Sequence, residues 1–553
     1  SIAWHWKDKA TSGSNSCAKI WKKKEMTPEL YLQRLESLEA DRRNWDSHWQ
    51  EIAEVVFPRR ADFTQKVTRG QRKGLRIVDS TAVIANELLG AGLHGMLTNP
   101  ASKWFKLRIT DPSLMENQEV VAWLEEIERR IYVALNAPEA QFSSHIHELY
   151  LDMTAFGTGG MFIGEDPKTG ELNFSTKHLK EIYLAEDMSG FIDTVYRKFE
   201  YTARQVIQRY GMGNCGDDVK KAYDTGKLDT TFEVLHCVQP RTDFVHGSKL
   251  RSDLPVASIY MLTKSKHILE DGGFEEMPYV APRWAKVSGE TYGRGPGVSC
   301  LPDIKMLQEM AKTILKAAQK IVDPPLQVPD DGALNPVKTI PGGLNFRRAG
   351  SDPITPLQTG GNIPIGLEML EDVRRRIRQG FYIDQLQMQQ GPQMTATEVI
   401  QRQEEKLRLM GPVLGRLQSE LLGPMVTRVF GLLMRRGKFP PAPEILADAE
   451  YDIEYVSPLA KAQKQTDANG LLRVFEIASP IIQMQPEIAQ VINGEDTIRW
   501  LGDLFGVPTS LMKTSEEMEQ LKQQQAEQQQ MQQGLATAQQ GADVLDTVSK
   551  MGQ

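Results

Sequence analysis

Residues 302–322 read PDIKMLQEMAKTILKAAQKIV, and residues 365–381 read IGLEMLEDVRRRIRQGF. In the first stretch Ile304, Leu307, Ala311, Ile314, Ala318 and Ile321 recur at helical spacing, while Lys305, Glu309, Lys312, Lys316 and Lys320 recur with the same period on another face. In the second, Leu367, Leu370, Val373, Ile377 and Phe381 form one apolar stripe, with Arg374, Arg375, Arg376 and Arg378 lying off it. The pattern predicts two antiparallel helices, the first of about twenty residues and so roughly 30 Å long. Between them the chain leaves through Asp323-Pro324-Pro325 into a Pro/Gly-rich excursion, residues 323–364. Beyond Phe381 a polar segment, Asp384 to Gln393, precedes Thr395-Ala396-Thr397-Glu398, a capping-box spacing that restarts a helix.

Composition narrows the class. The chain has 553 residues, 40% hydrophobic and 25% charged, enough for several cores of a folded protein. A net charge of −7 argues against a protein that coats itself onto duplex DNA, although a protein that lets DNA slide past would need only weak attraction to phosphate. Cys17, Cys215, Cys237 and Cys300 show no Cys-x-x-Cys spacing, so free thiols in a reducing cytoplasm are expected. No window approaches the roughly 18 uninterrupted apolar residues of a membrane helix, and no membrane insertion is expected. Residues 1–26 begin without Met and place Trp4, Trp6 and Trp21 among lysines; they read as a disordered basic extension, with Met26 a better native start.

Outward from the two helices, helical patterns run from Thr27 to Phe57, Ser80 to Leu97, Asn117 to Leu135 and Phe142 to Phe156. Gly90, Gly92 and Gly95 thin the end of the second, so that another backbone can approach. Arg59-Arg60 through Lys73 reads as a solvated basic loop, and Trp104 to Ile109 as a strand. From Met161 to Ala281 short strands (172–175, 182–185, 192–199, 231–238, 256–262, 267–270) surround one helix, 203–210, and predict a mixed sheet. After Leu421 a helix continues to Arg436-Gly437, with kinks expected near Gly411-Pro412 and Gly423-Pro424. A strand at 451–455 and helices at 461–479, 485–493, 496–505 and 515–533 complete the chain. The last is glutamine-rich, compatible with a tail or with a helical coil built by many subunits.

No catalytic constellation stands out. The glycines of Ala155-Phe-Gly-Thr-Gly-Gly-Met-Phe are followed by Met161-Phe162 where a phosphate-binding loop needs Lys-Ser/Thr, so a glycine turn feeding a strand is expected. His145 and His147 are two apart, which on a helix points them to different sides. Asp330-Asp331 reads as a solvated turn without further ligands, and no cofactor or metal is expected.

Several segments in this order resemble the portal, or head-to-tail connector, proteins of short-tailed bacteriophages. They are Arg42-Arg-Asn-Trp to Phe57-Pro-Arg-Arg, Asp79-Ser-Thr-Ala, Gly90-Ala-Gly-Leu-His-Gly-Met-Leu-Thr-Asn-Pro, Tyr292-Gly-Arg-Gly-Pro-Gly, Leu301-Pro-Asp-Ile-Lys, Asp323-Pro-Pro-Leu, Met394-Thr-Ala-Thr-Glu-Val and Leu409-Met-Gly-Pro-Val-Leu-Gly-Arg-Leu. The similarity runs from Tyr31 to Phe505, and the ordered set rather than any single motif carries it.

The resemblance implies an α+β, mainly helical portal fold assembled as a homo-oligomeric ring, most often of twelve subunits, at one capsid vertex, through which double-stranded DNA enters and later leaves. It divides the chain into a wing (27–295), a first stem helix (296–322), a clip (323–364), a second stem helix (365–383), a tunnel loop (384–394), a long kinked helix returning to the wing (395–460), a crown (461–515) and a glutamine-rich tail or barrel helix (516–553). Implied partners are the terminase, tail adaptor or nozzle proteins, and the major capsid, scaffold and internal core proteins. The implied location is the virion, after assembly in the host cytoplasm.

Lys305, Lys312, Lys316, Lys320, Arg374, Arg375, Arg376 and Arg378 are candidates to meet DNA phosphate, or alternatively to bridge subunits through Glu309, Glu368, Glu371 and Asp372. Asp384, Gln385, Gln387, Gln389, Gln390 and Gln393 would form the tunnel loop. Asp323, Pro324, Pro325, Asp330, Asp331, Arg347 and Arg348 would lie on the clip's docking surface. Other readings are a tail or capsid protein without a channel, and a terminase-type ATPase, which the missing Walker lysine disfavours.

Overall fold

Apart from isolated positions, the computed structural model describes residues 26–327, 355–356, 363–386, 410–446, 451–452, 470–480 and 494–505. Expectations for residues 1–25, most of the 323–364 excursion (Asp330, Asp331, Arg347 and Arg348 among them), Gln387, Gln389, Gln390 and Gln393, the capping box at Thr395, the helix at 485–493 and most of the glutamine tract lie outside the described residues.

The fold is α+β and mainly helical. Helices α1 (Pro28–Val55), α2 (Thr81–Leu97), α3 (Gln118–Leu135) and α4 (Phe142–Phe156) precede every strand but the first. Strands β1 (Arg108–Ile109), β2 (Met161–Glu165), β3 (Leu172–Thr176), β4 (Ile182–Glu186) and β5 (Ile192–Thr202) lead to α5 (Ala203–Asn214) and α6 (Asp217–Asp224). Then come β6 (Thr231–Pro240), β7 (Val256–Leu262), β8 (Ile268–Phe274), β9 (Tyr279–Val280), α7 (Pro296–Ser299) and α8 (Leu301–Val322). Strands β10 (Leu326–Gln327) and β11 (Thr355–Pro356), helices α9 (Ile363–Gly380), α10 (Ile383–Leu386) and α11 (Gly423–Arg435), strand β12 (Tyr451–Asp452) and α12 (Gly494–Phe505) complete the described chain.

Two compact units result. In the larger, residues 7–102 with 133–432, strands β4-β5-β6-β7-β8 form a sheet in that order and β3-β2-β9 a second. In place of the expected mixed sheet, the strands of both sheets pair antiparallel throughout. The period-two alternation feeds two cores on opposite faces of the five-stranded sheet. Leu235, Cys237, Ile259 and Met261 meet Tyr31, Leu35 and Leu38 of α1. Val234, Tyr260 and Leu262 meet Val206 and Tyr210 of α5 and Val219 of α6, a helix absent from the sequence expectation. Arg42 pins α1 to the sheet by donating to the carbonyls of Leu179, Lys180 and Ile182, its guanidinium 3.8 Å from the Tyr183 ring centroid.

Two glycine-rich stretches cross one another. Gly157 has φ +83°, and a Cβ there would collide with the backbone of Gly293 and Gly295, while one at Gly297 would strike the Ala155 carbonyl. Trp284 N–H donates to the Gly157 carbonyl at 2.9 Å and Gly293 N–H to Thr158 Oγ1 at 2.8 Å. Of the glycines expected to thin α2, Gly90 packs against Leu151 of α4, whereas Gly95 has open space around it.

Arg283, with no exposed surface, sits at this crossing. It donates to Glu420 through Nε at 3.0 Å and Nη2 at 2.7 Å, to the carbonyls of Gly190 and Thr291, and to Glu186. Glu420 lies in a π-helical turn, Gln418–Leu422, where Gly423 N–H bonds the Gln418 carbonyl. The kink expected at Gly423-Pro424 takes this form: Pro424 has no N–H for the Glu420 carbonyl, and the helix widens to i→i+5 bonding before it. Of the basic loop, Arg60 is an internal ion-pair partner, 3.0 Å from Asp152 and 2.6 Å from Glu148.

The smaller unit combines residues 103–132 with described residues from 433 onward. Here the expected strand Trp104–Ile109 shrinks to Arg108–Ile109, paired antiparallel with Tyr451–Asp452. Its preceding amides are taken by side chains of α3: Trp104 and Phe105 donate to Tyr132 Oη, and Leu107 to Glu128 at 2.7 Å. The Phe105 and Tyr132 rings stack at 4.5 Å. Arg130 reaches the Lys438 carbonyl and Trp123 Nε1 the Pro440 carbonyl, past the helix end at Gly437 (φ +64°).

Two outcomes follow. Arg283→Met leaves Arg416 as the guanidinium still bonded to the buried Glu420 carboxylate and is expected to cost about 3 kcal/mol, with Arg283→Lys failing to restore the forked contact, read as a drop in the midpoint of thermal unfolding. His236 is buried, stacked on Tyr260 at 3.8 Å and bonded to Tyr279 Oη and Ser258 Oγ, each at 3.0 Å. Burial, reinforced by Arg209, Arg197 and Lys177, holds its pKa well below the ordinary value. The unfolded imidazole takes up a proton below about pH 6.5 while the native one resists, so stability present above that pH is lost as pH falls. The thermal midpoint should decline between about pH 6.5 and 5, and His236→Gln should flatten that decline.

Candidate functional site

The two helices found first in the sequence are joined at one end to the body of the larger unit. Leu301, Ile304 and Leu307 of α8 and Leu370, Val373, Ile377 and Phe381 are buried. The pair is antiparallel. Asp303 meets Arg376 at 3.4 Å, the Ile314 side chain covers Gly366, and Gly380 leaves room for Cys300 Sγ. Tyr382, at φ +58°, ends α9 in a left-handed turn, and Asp384 follows in α10.

One carboxylate organises the junction. Asp79 Oδ2 accepts from Arg374 Nε at 2.9 Å and Nη2 at 2.7 Å, and its Oδ1 accepts from Thr81 N–H at the start of α2. Gln308 of α8 donates to the Asp79 carbonyl at 2.7 Å and accepts from the amides of Val78 and Asp79. Three helices thus converge on one residue. Burial alone would raise the Asp79 carboxyl; the bonds from Thr81 and Arg374 outweigh it and hold the pKa below the ordinary range. The Asp79 bond in turn raises the Arg374 guanidinium.

The remaining basic candidates divide by partner. Lys305 bonds Glu51 of α1 at 2.6 Å. Arg374 and Arg378 share Glu371, at 3.3 and 3.1 Å. Arg375 and Arg376 share Asp372, and Lys312 lies 3.5 Å from Glu309. Lys316 and Lys320 are exposed and have no ion-pair partner among the described residues. Away from the junction, Leu315, Ile321, Val322, Ile365, Leu367 and Met369 stand exposed, Val322 at 86% of its surface. Asp323, Pro324 and Pro325 follow α8 into the short β10–β11 pair.

Sequence reasoning quoted Asp79 only within a motif and gave no role to Gln308, Arg283 or Glu420. A signal existed for Gln308, a polar side chain at the edge of an apolar stripe. None existed for Arg283 and Glu420, whose meeting depends on the glycine crossing. Among the described residues no group of His, Cys, Asp and Glu could hold a metal ion, and no helix is long and apolar enough to cross a membrane. The arrangement orients and supports a pair of helices and offers no nucleophile with a base.

A family model described as bacteriophage head to tail connecting protein matches residues 29–512, a span that includes the whole helix pair and its anchor. The "Portal protein" of Salmonella phage epsilon15 is 30% identical over 536 residues, covering 95% of this chain and 96% of its own. The "Probable portal protein" of Bordetella phage BPP-1 is 31% identical over 534 residues, covering 95% of each. With a helix pair anchored in the body of the larger unit and matches along nearly its whole length, the chain belongs to the bacteriophage head-to-tail connecting proteins, the portal family.

Proposed function

We propose that copies of this chain close into a ring at one vertex of the phage capsid, that DNA passes through the ring during packaging and ejection, and that α8 and α9 form the stem around the passage. The observation carrying the reading is the contrast along the helix pair. Its base is fixed by Asp79, Gln308 and Arg374, while its other end exposes Leu315, Ile321, Val322, Ile365, Leu367 and Met369, more apolar surface than an isolated helix pair keeps in water. Neighbouring copies would cover it. In this reading residues 27–295 are the wing, 323–364 the clip that receives the packaging terminase and later the tail adaptor, 384–394 the tunnel loop and 461–515 the crown. Twelve copies is the family's usual number, and capsid, scaffold and core proteins would surround the ring.

Lys320 is the cation of α8 best placed to touch phosphate, since the arginines of α9 are engaged within the chain. A tail or capsid protein without a channel would leave the exposed end of the helix pair without an obvious use.

Negative-stain imaging of the purified full chain is expected to show closed rings with a central hole wide enough for a duplex, about 20 Å or more, a size at which a basic wall can reach phosphate. Shells, unlimited tubes or persistent monomers at high concentration would count against the ring. Lys320→Ala should leave rings and thermal midpoint intact and reduce the DNA packaged per head. An unchanged yield of filled heads would remove this lysine from contact with DNA.

A further inference from the structure

The helix pair carries a charge pattern that sets how neighbouring copies meet, and the inference rests on the ring reading above. On α8, the face turned away from α9 carries Glu309, Lys312 and Lys316, spaced three and four residues apart and all exposed. On α9, the face turned away from α8 carries, read backwards, Arg375, Asp372 and Glu368, spaced three and four apart and all exposed. The signs are opposite position by position: minus, plus, plus against plus, minus, minus. Because α8 and α9 run antiparallel, the next copy's α9 laid against this copy's α8 would run in the matching direction.

The axial position of that contact is not free. Within one chain Cys300 lies opposite Gly380, Asp303 opposite Arg376 and Ile314 opposite Gly366. If the next copy sat level, Glu309 would face Glu371 and Lys305 would face Arg375, two like-charge rows. Shifted one turn toward the N-terminus of α8, Glu309 would come against Glu368. Shifted one turn toward the C-terminus of α8, Lys316 meets Glu368, Lys312 meets Asp372 and Glu309 meets Arg375. We propose that neighbouring copies dock the outer face of α8 against the outer face of the next α9 with this offset of one helical turn, about 6 Å along the axis. The bonds these residues make within the chain, Lys312 to Glu309 and Arg375 to Asp372, are exposed pairs three residues apart that exchange partners readily. Like charges at the level position exclude the competing register, as charge does in other multi-helix assemblies.

Charge reversal tests the register. In the full chain, Glu368→Lys should raise the protein concentration at half-assembly about fivefold, the scale of one exposed ion pair. Adding Lys316→Glu should restore it, and adding Lys312→Glu should not. Independently, with Cys17→Ser as background and the other cysteines buried, Lys316→Cys paired with Glu368→Cys should give an intersubunit ladder with a short bismaleimide faster than Lys312→Cys paired with Glu368→Cys. Rescue by Lys312→Glu, or the opposite order of cross-linking rates, overturns the offset while leaving the ring standing. Rings indifferent to Glu368→Lys overturn the helix-pair contact itself. An unsubstituted chain that forms no oligomer fails the ring reading first, and this inference with it.

Discussion

A guanidinium with no access to water, Arg283, joins parts of the larger unit that are far apart in sequence: the end of β4 through Glu186, the turn after it through the Gly190 carbonyl, and the π-helical turn through Glu420. Such a charge is tolerated inside a protein only when its donors are met, and here two carboxylates and two carbonyls meet them. The arrangement constrains its surroundings in return. The chain must bring Glu420 inward, which the wider π turn does, and two backbones must cross without side chains between them, which the glycines at 157, 293 and 295 permit. From that crossing the chain runs directly into α7 and α8, so the position of the helix pair is inherited from it.

Periodic features of the fold were legible in the sequence and meetings between distant segments were not. The apolar stripes of α8 and α9, the alternation of β4 to β7 and the limits of α4 follow from local physics, and the structure keeps them to within a few residues. Trp104 to Leu107 had strand-like alternation, but Tyr132 and Glu128 supply the bonds that a neighbouring strand would have supplied. A pattern of side chains cannot reveal which group satisfies an amide. The glycines from 157 to 160 invited comparison with a phosphate loop, and Gly157 turned out to make room for another backbone, a use that depends on a partner more than a hundred residues away. Asp79 is the same case at the candidate site: its bond from Thr81 N–H, two residues on, is local, but nothing local says that it also holds α8 and α9.

The Asp79 junction matters because of what lies beyond it. Its bonds are buried or half-buried and joined to three helices, so the base of the helix pair resists bending. The other end has exposed apolar side chains and only exposed charge pairs. In the ring proposed above, a rigid base with an uncovered end would set the direction of the helix pair in each copy and leave its last contacts to form between copies. A fixed direction makes the rotation between neighbours the same at every contact, and an interface of that kind makes a ring when that rotation closes.

Charge then decides how such a ring would treat DNA. Each chain is acidic, at −7, and repels the duplex on average. At physiological ionic strength fields die away within about 8 Å, so passing phosphates sense only the nearest side chains. Of the basic residues on the helix pair, Lys305 and the four arginines are held by carboxylates of their own chain, and Lys312 has Glu309 beside it. A wall carrying many unpaired cations would bind DNA with the steep salt dependence of a repressor and hold it still. One that leaves a single lysine of the helix pair, Lys320, unengaged on each subunit keeps the duplex centred and lets it move, because each contact is weak and an identical one waits on the next copy.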